Sequence, residues 1–448
     1  MDQNEHGELT RLLLANDLYP MHMPGHKRNP AFAAPENPYA MDVTEIAGTD
    51  NLAHPEGVLR RLSERAASIW GADETLLLVN GSTVGNLAAV TGAFQRGDTV
   101  IAARNSHKSV YHALRLWDLK TIWVEPEAYR FSENRMVTAS FAGPVTRQLV
   151  ERAYGAHPEA KGVILTSPTY EGVISEVPEI AAFCHAHGLL LLVDEAHGAH
   201  LGFHPYFPES AVKAGADLVV QSLHKTLPAL TQTALLHMNG SRVDRERVRG
   251  MKNVFQTSSP SYVLIASMEQ CMETLTCEKA PERWKAYAEE LQDFYRACGG
   301  RVVPEAGDRD PSKLLIRGNG PALHRYLREA YRIEPEMEAA DYLLAMTSFC
   351  DTAEGFRRLK QAVCAAPEQL LTEPPARMLH RFPEGLAGRI SLEFVWAYPP
   401  GIPILAPGEE ITEAVLARIR ALEAAGIELS GMAEPGQLKT AAPGNEQE

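Results

Sequence analysis

The sequence predicts an α/β chain with a large, mostly parallel sheet of the seven-stranded type, followed by a smaller α/β domain. From about residue 75 to 240 short apolar runs alternate with helix-length segments: Thr75 to Val79, Thr99 to Ala103, Thr121 to Val124, Gly162 to Thr166, Leu189 to Val193 and Asp217 to Val220. Runs apolar at consecutive positions belong to strands covered on both faces, and the lengths between them suit crossover helices. The 448 residues, 45% hydrophobic and 22% charged, match a soluble globular chain of two or three domains and exclude disordered, collagen-like and membrane-spanning classes.

Ahead of the first run, residues 1–45 form a separate N-terminal segment, and the large domain is expected over 46–290. Pro281 to Gly299 reads as a long helix, with Pro near its start, Gly just past its end, and Trp284, Tyr287, Leu291, Phe294 and Tyr295 at helical spacing, the pattern of ordinary core packing. A smaller domain then occupies 291–430. Residues 431–448 are polar, contain Gly and Pro, show no periodicity, and are expected to lack order.

The net charge of −14 offers no global positive field for a nucleic acid backbone or an anionic membrane. A single phosphate could still be held locally by backbone amides. The six cysteines include no C-x-x-C pair and fit a reducing cytoplasm. The N-terminus has acidic residues and only a short apolar run, unlike a signal peptide, and no later stretch approaches the ~18 apolar residues of a membrane span.

In parallel sheets, ligands bind beyond the strand C-termini, so the residues after each run bear inspection. Asn80-Gly81-Ser82-Thr83 follows the first run and leads into a helix-like stretch, Val84 to Phe94. Small hydroxylated residues at a helix N-terminus make a phosphate cradle, although the same residues also serve as plain N-caps. Leu189 to Val193 ends in Asp194-Glu195-Ala196-His197. An acid there is costly to desolvate unless a cation meets it, and one natural cation is the protonated pyridine nitrogen of pyridoxal phosphate (PLP); the bland alternative is a helix cap. Beyond Asp217 to Val220 stand Ser222-Leu223-His224-Lys225-Thr226, where Lys225 could bond the cofactor covalently and Ser222 and His224 reach its phosphate. His107, in Arg104-Asn105-Ser106-His107-Lys108-Ser109, could stack on a flat ring or be a surface histidine.

These residues resemble fold-type I PLP enzymes, and specifically the bacterial Orn/Lys/Arg decarboxylase family. The resemblance rests on His22-Met23-Pro24-Gly25-His26-Lys27, Asp42-Val43-Thr44-Glu45-Ile46 through Asn51-Leu52-Ala53-His54-Pro55-Glu56-Gly57, the segments just described, and Tyr398-Pro399-Pro400-Gly401-Ile402-Pro403 with Pro407-Gly408-Glu409. It implies that Lys225 holds PLP as a Schiff base, Asp194 pairs with the pyridine nitrogen, His107 stacks on the ring, and Gly81, Ser82, Thr83, Ser222, His224 and Ala196 complete the cofactor site. It implies loss of the α-carboxylate of arginine, lysine or ornithine as CO2, with Lys225, His224 or His197 returning the proton to Cα. The first 45 residues would cover the active site. Because the His22 motif starts close to Met1, a member without the N-terminal wing domain is expected, as a homodimer or dimer of dimers in polyamine metabolism.

A buried substrate cation calls for a carboxylate, and one acid among Glu45, Asp50 and Glu393 is expected to supply it. Arg389 could clamp an α-carboxylate, as in an aminotransferase, or be a strand-end surface charge. An aminotransferase, aldolase or carbon–sulfur lyase would use the same Lys and Asp, but the motifs around 22–57 and 398–409 favour the decarboxylase. A non-catalytic regulatory homologue would have little reason to keep Lys225, Asp194 and His107 together. The histidines at 185, 187, 197, 200 and 204 suggest a metal; the first pair precedes a strand about 17 Å long and the rest follow it, so one tetrahedral site cannot collect them.

Overall fold

In the computed structural model, which describes residues 7–32, 37–131, 139–372, 385–397, 401–424, 429–432 and 438–441, seven strands form the central sheet. They are β1 (Glu74–Leu78), β2 (Thr99–Ala103), β3 (Lys120–Val124), β4 (Gly162–Thr166), β5 (Leu190–Asp194), β6 (Leu218–Ser222) and β7 (Ala234–Met238). Their order across the sheet is β1-β7-β6-β5-β4-β2-β3, and only β7 runs antiparallel to its neighbours. Every residue of β2, β6 and β7 is buried, as the uninterrupted apolar runs require. Val100 and Ala102 face one core with Val84, Ala88, Phe94 and Val248, while Ile101 and Ala103 face the other with Ile180, Leu191 and Val219.

The run that forms β7 was not among those read from the sequence. Its fourth residue is His237, which is paired inside the core, with Nδ1 at 2.8 Å from Thr75 Oγ1 and Nε2 at 3.1 Å from Gln221 Oε1. The helix Gly81–Ala93 lies directly on the sheet because Gly85 has no side chain: a Cβ there would sit 2.6 Å from Val220. That close seat brings the start of the helix to the C-terminal edge of β6.

The helix Ala280–Cys298 matches the expected Pro281 to Gly299 and buries Trp284, Tyr287, Leu291 and Phe294. Trp284 stacks on Phe349 at 4.6 Å, and Phe207 stacks on Tyr287 at 5.4 Å. Beyond the helix an antiparallel sheet orders Lys313–Arg317, Tyr342–Met346 and Met337–Glu338, backed by the helices Gly320–Tyr331 and Ala353–Ala365. Tyr19–Met21 pairs in parallel with Ile333–Pro335, tying the N-terminal segment to this smaller unit. Near the C-terminus Val395–Ala397 is flanked by Pro403–Leu405 and Leu429–Ser430. The tail expected to lack order contributes Thr440–Ala441, which pairs with Ile390–Ser391; polar composition hid it because a two-residue edge strand needs no apolar period. Among the described residues no helix is long and apolar enough to cross a membrane.

The turn after β5 is pinned by Glu195. Its carboxylate accepts the Ser210 hydroxyl at 2.6 Å, the Ala211 N–H at 2.7 Å and the Gln221 amide at 2.6 Å. Burial pushes its pKa up to about 7 from an ordinary 4.5, against the downward pull of those donors. The native state therefore holds an extra proton between these two values, and the associated stability, complete below the window, is lost as pH rises through 7. Glu195→Gln should gain stability relative to the parent, by roughly 1–3 kcal/mol, when urea unfolding is compared at about pH 5 and about pH 8. A difference independent of pH would contradict this.

Candidate active site

The C-terminal edge of the sheet gathers the loops singled out in the sequence. Asp194 ends β5, and Ser222 ends β6 and leads straight into the short helix Leu223–Thr226 that includes Lys225. Asn105 to His107 follow β2, and Gly81 to Thr83 follow β1.

Lys225 Nζ lies 2.9 Å from His197 Nε2. Desolvation lowers the Lys225 pKa, with Lys313 adding to it and with Asp194 and Glu336 opposing. His197 is buried, edge-on to Tyr170 at 4.6 Å, and burial drives its pKa well down, helped by the charges of Lys225 and Lys313. Lys225 and His197 thus meet as a pair from which the second proton is readily expelled.

Asp194 is buried, and burial raises its pKa while Lys225, the Asn86 amide and the Ala196 N–H pull it back. Asn86 Nδ2 donates to Asp194 Oδ2 at 2.8 Å and to Ser109 Oγ at 2.9 Å, and the Ala196 N–H reaches Asp194 Oδ1 at 3.1 Å. The Ser109 hydroxyl lies 2.8 Å from His107 Nδ1, which also accepts the Ser109 N–H at 3.2 Å. Two donors on Nδ1 place the ring proton on Nε2. Burial first, then Lys225, lowers the His107 pKa to about 3, so the ring is a neutral aromatic surface that does not repel a cationic partner.

The buried polar atoms without a protein partner test whether PLP fits. They include Ser222 Oγ, Thr226 Oγ1, Thr166 Oγ1, Ser106 Oγ, Asn105 Oδ1 and His197 Nδ1, all at this edge. Buried polar groups are otherwise paired almost without exception, so these suit a polar ligand. The helix Gly81–Ala93 adds an N-terminus that its N-cap residue, Asn80, leaves open: the Asn80 side chain turns away to accept the Thr257 N–H at 3.0 Å. Ser82 is half-buried and Thr83 exposed beside it. A phosphate at the helix start, an aromatic face at His107, an acid at Asp194 and an amine at Lys225 are the features PLP requires. His224 Nδ1 donates to the Thr233 carbonyl at 3.0 Å, and burial lowers its pKa to about 4. Its Nε2 is then an acceptor, and contact with phosphate oxygen would call for the imidazolium form.

The segment His22 to Lys27 lies over the Lys225 loop. The Gly25 N–H donates to the His224 carbonyl at 2.7 Å, and a Cβ on Gly25 would stand 2.6 Å from the Leu227 backbone. Lys27 is buried and reaches the His22 and Met346 carbonyls, each at 2.8 Å.

Two of the three acids weighed for the substrate cation, Asp50 and Glu393, are engaged elsewhere. Asp50 accepts the backbone N–H groups of Asn51, Glu56, Gly57 and Leu59 at 2.7 to 3.0 Å. It thus fastens the turn before the helix Val58–Trp70, where four N–H donors outcompete a substrate. Glu393 pairs with Lys439 at 3.0 Å. Arg389 is exposed, and Glu45 is half-buried with no ionic partner among the described residues. Besides Asp194, the acid whose charge acts on Lys225 is Glu336, which sequence reasoning missed. It accepts the Met23 N–H at 2.8 Å and the Tyr170 hydroxyl. Asn86 was also missed, though a polar side chain on the buried face of a helix is a readable signal. The five histidines weighed as metal ligands go to separate partners, among them Asp217, the Phe183 carbonyl, Lys225 and Asp310. Tyr398 to Pro400 lie outside the described residues.

Asn86→Ala should weaken PLP binding by about ten- to a hundred-fold, since it leaves a buried carboxylate short of a donor. Titration of the apoprotein with PLP, followed by visible absorbance, measures this; affinity equal to the parent's would show that the Asn86 bridge is dispensable.

Residues 10–298 match the family model for Orn/Lys/Arg decarboxylase, major domain, and residues 382–437 that for Orn/Lys/Arg decarboxylase, C-terminal domain. The chain is 35% identical over 434 residues to the Bacillus subtilis protein YaaO, with 88% of each covered. It is 31% identical over 457 residues to the arginine decarboxylase of Halalkalibacterium halodurans, spanning 92% of this chain and 91% of that one. Its fold is similar to that of the Francisella novicida lysine decarboxylase LdcF, with a TM-score of 0.72 over 93% of this chain and 78% of that one at 18% identity. The family-model matches over both segments and the identity to an arginine decarboxylase over nearly the whole of both chains show that the chain belongs to the Orn/Lys/Arg decarboxylase family.

Proposed function

We propose that this enzyme removes the α-carboxylate of arginine, lysine or ornithine, using PLP bonded to Lys225, and releases agmatine or a diamine for polyamine synthesis. The observation that carries this reading is the convergence of Lys225, Asp194 and His107 on one sheet edge, rimmed by unpartnered buried hydroxyls. When bound, PLP supplies an electron sink for the pair released with CO2.

The chain's own residues do the rest. Asp194, kept close to Lys225 and oriented by Asn86, holds a proton on the ring nitrogen, because the buried carboxylate is most stable facing a cation. His107 packs its neutral ring on the cofactor face. The open N-terminus of Gly81–Ala93, with Ser82, Thr83 and Ser222, holds the phosphate. Lys225 Nζ and His197 Nε2, 2.9 Å apart, can share and pass one proton, which makes them the pair that returns a proton to Cα. Glu336, fixed by Met23 and Tyr170 close to Lys225, is the carboxylate that faces the substrate's distal cation. A homodimer, in the cytoplasm, completes the reading.

Purified protein with PLP and an equimolar pool of the three amino acids should release CO2 and one dominant amine identified by mass spectrometry. A keto acid in its place would make the enzyme an aminotransferase. Glu336→Gln should raise KM by about ten-fold or more, the worth of a charge-assisted hydrogen bond, with kcat changed far less. A KM equal to the parent's would remove Glu336 from substrate recognition.

A further inference from the structure

Against the backbone of His197 lies an ionic cluster that joins the two domains. Asp310 and Lys313 are both fully buried, with Lys313 Nζ 2.8 Å from Asp310 Oδ2. Lys313 opens the strand Lys313–Arg317 of the smaller domain, and its other two protons go to Ser312 Oγ at 3.1 Å and to the His197 carbonyl at 3.4 Å. Asp310 is equally saturated: Oδ1 accepts His200 Nε2 at 3.1 Å and the Ser312 N–H at 2.9 Å, and Oδ2 also accepts the Ser312 hydroxyl at 2.8 Å. Gly172, at φ +92°, passes so close that a Cβ would meet the Lys313 stem at 2.9 Å, and its carbonyl accepts the Asp310 N–H at 2.7 Å.

Cohesion alone does not call for such a cluster. Desolvating two charges costs several kcal/mol each, and an apolar pair of the same volume serves a core at least as well. What distinguishes this pair is its place. One end grips the backbone of the residue whose ring touches Lys225, and the other grips His200, three residues further along the same loop. We propose that Lys313, with Asp310 and His200, is a positioning group that fixes the His197 loop so that the imidazole is held against Lys225 Nζ. The domain seam therefore sets the geometry of the proton-sharing pair.

The charge has a second effect in the same direction. Lys225 is faced by Asp194 and His197 from the end of β5, by His107 from the loop after β2, by His224 from its own turn, and by Glu336 and Lys313 from the smaller domain. Lys313 is the member of this set that adds positive charge, and it disfavours the protonated forms of both Lys225 and His197, with its partner Asp310 opposing it at His197.

The inference rests on Lys225 being the cofactor lysine, and the test separates the two. Parent, Lys313→Met and the paired Asp310→Asn/Lys313→Met protein are loaded with PLP, and the visible band of the lysine-bound cofactor is titrated with pH alongside kcat, KM and the thermal midpoint. The pair variant removes both charges, so it can fold where Lys313→Met alone leaves Asp310 uncompensated. In Lys313→Met the band's titration midpoint should move up by about half a pH unit or more, the scale of one removed charge nearby, whereas the pair variant removes no net charge and tests the positioning through kcat. The kcat should fall about ten-fold or more, as for a misplaced proton-transfer group, with KM within about two-fold. Folded variants with the parent's band midpoint and kcat, whatever their thermal midpoint, would reduce the cluster to a structural clasp, as would failure of both variants to fold. A parent with no visible band would overturn the reading of Lys225 together with this one.

Discussion

A carboxylate buried at the end of a central strand is unstable unless something compensates it, and Asp194 is the constraint around which the site is arranged. Its neighbour Asn86 comes from a helix that can approach because Gly85 lacks a side chain, and the same amide continues through Ser109 to orient His107. One desolvated charge therefore ties together three strand ends. The remaining compensation is cationic, which is what a protonated pyridine and a nearby Lys225 provide.

The same logic governs Lys225 and His197. Both are driven toward their neutral forms by desolvation, and they touch, so the second proton has no stable place on either. A pair in that state can hand one proton between its two nitrogens without a water-filled path. Holding it requires rigidity from outside, and the smaller domain supplies it through Glu336, bonded to Met23 of the N-terminal segment and to Tyr170, and through the Asp310–Lys313 pair.

The parts of this arrangement that are local in sequence could be read from it. Uninterrupted apolar runs betray buried parallel strands, and the acid, hydroxyl and lysine residues immediately beyond them fall at one edge by topology alone. What could not be read depends on contacts between distant segments. Glu336 meets Met23 across 313 residues, and Lys313 meets His197 across 116. Asp50 illustrates the opposite error: an acid near a recognisable motif was assigned to substrate, when its four backbone partners lie within nine residues of it. A short-range capping interaction leaves no signature that distinguishes it from a free carboxylate. The strand β7 escaped notice because a paired histidine inside a sheet looks, in one dimension, like a break.

The central claim is that Lys225, and no other lysine, is the residue to which the cofactor bonds. The buried lysines Lys27, Lys252 and Lys313 are each committed to hydrogen bonds through Nζ. Reduction of the PLP-loaded protein with borohydride, followed by proteolysis and mass spectrometry, locates the pyridoxyl group directly. The account predicts a single modified residue, Lys225, and loss of the label in Lys225→Ala. A pyridoxyl group on any other lysine, or none on a protein that binds PLP tightly, would contradict it.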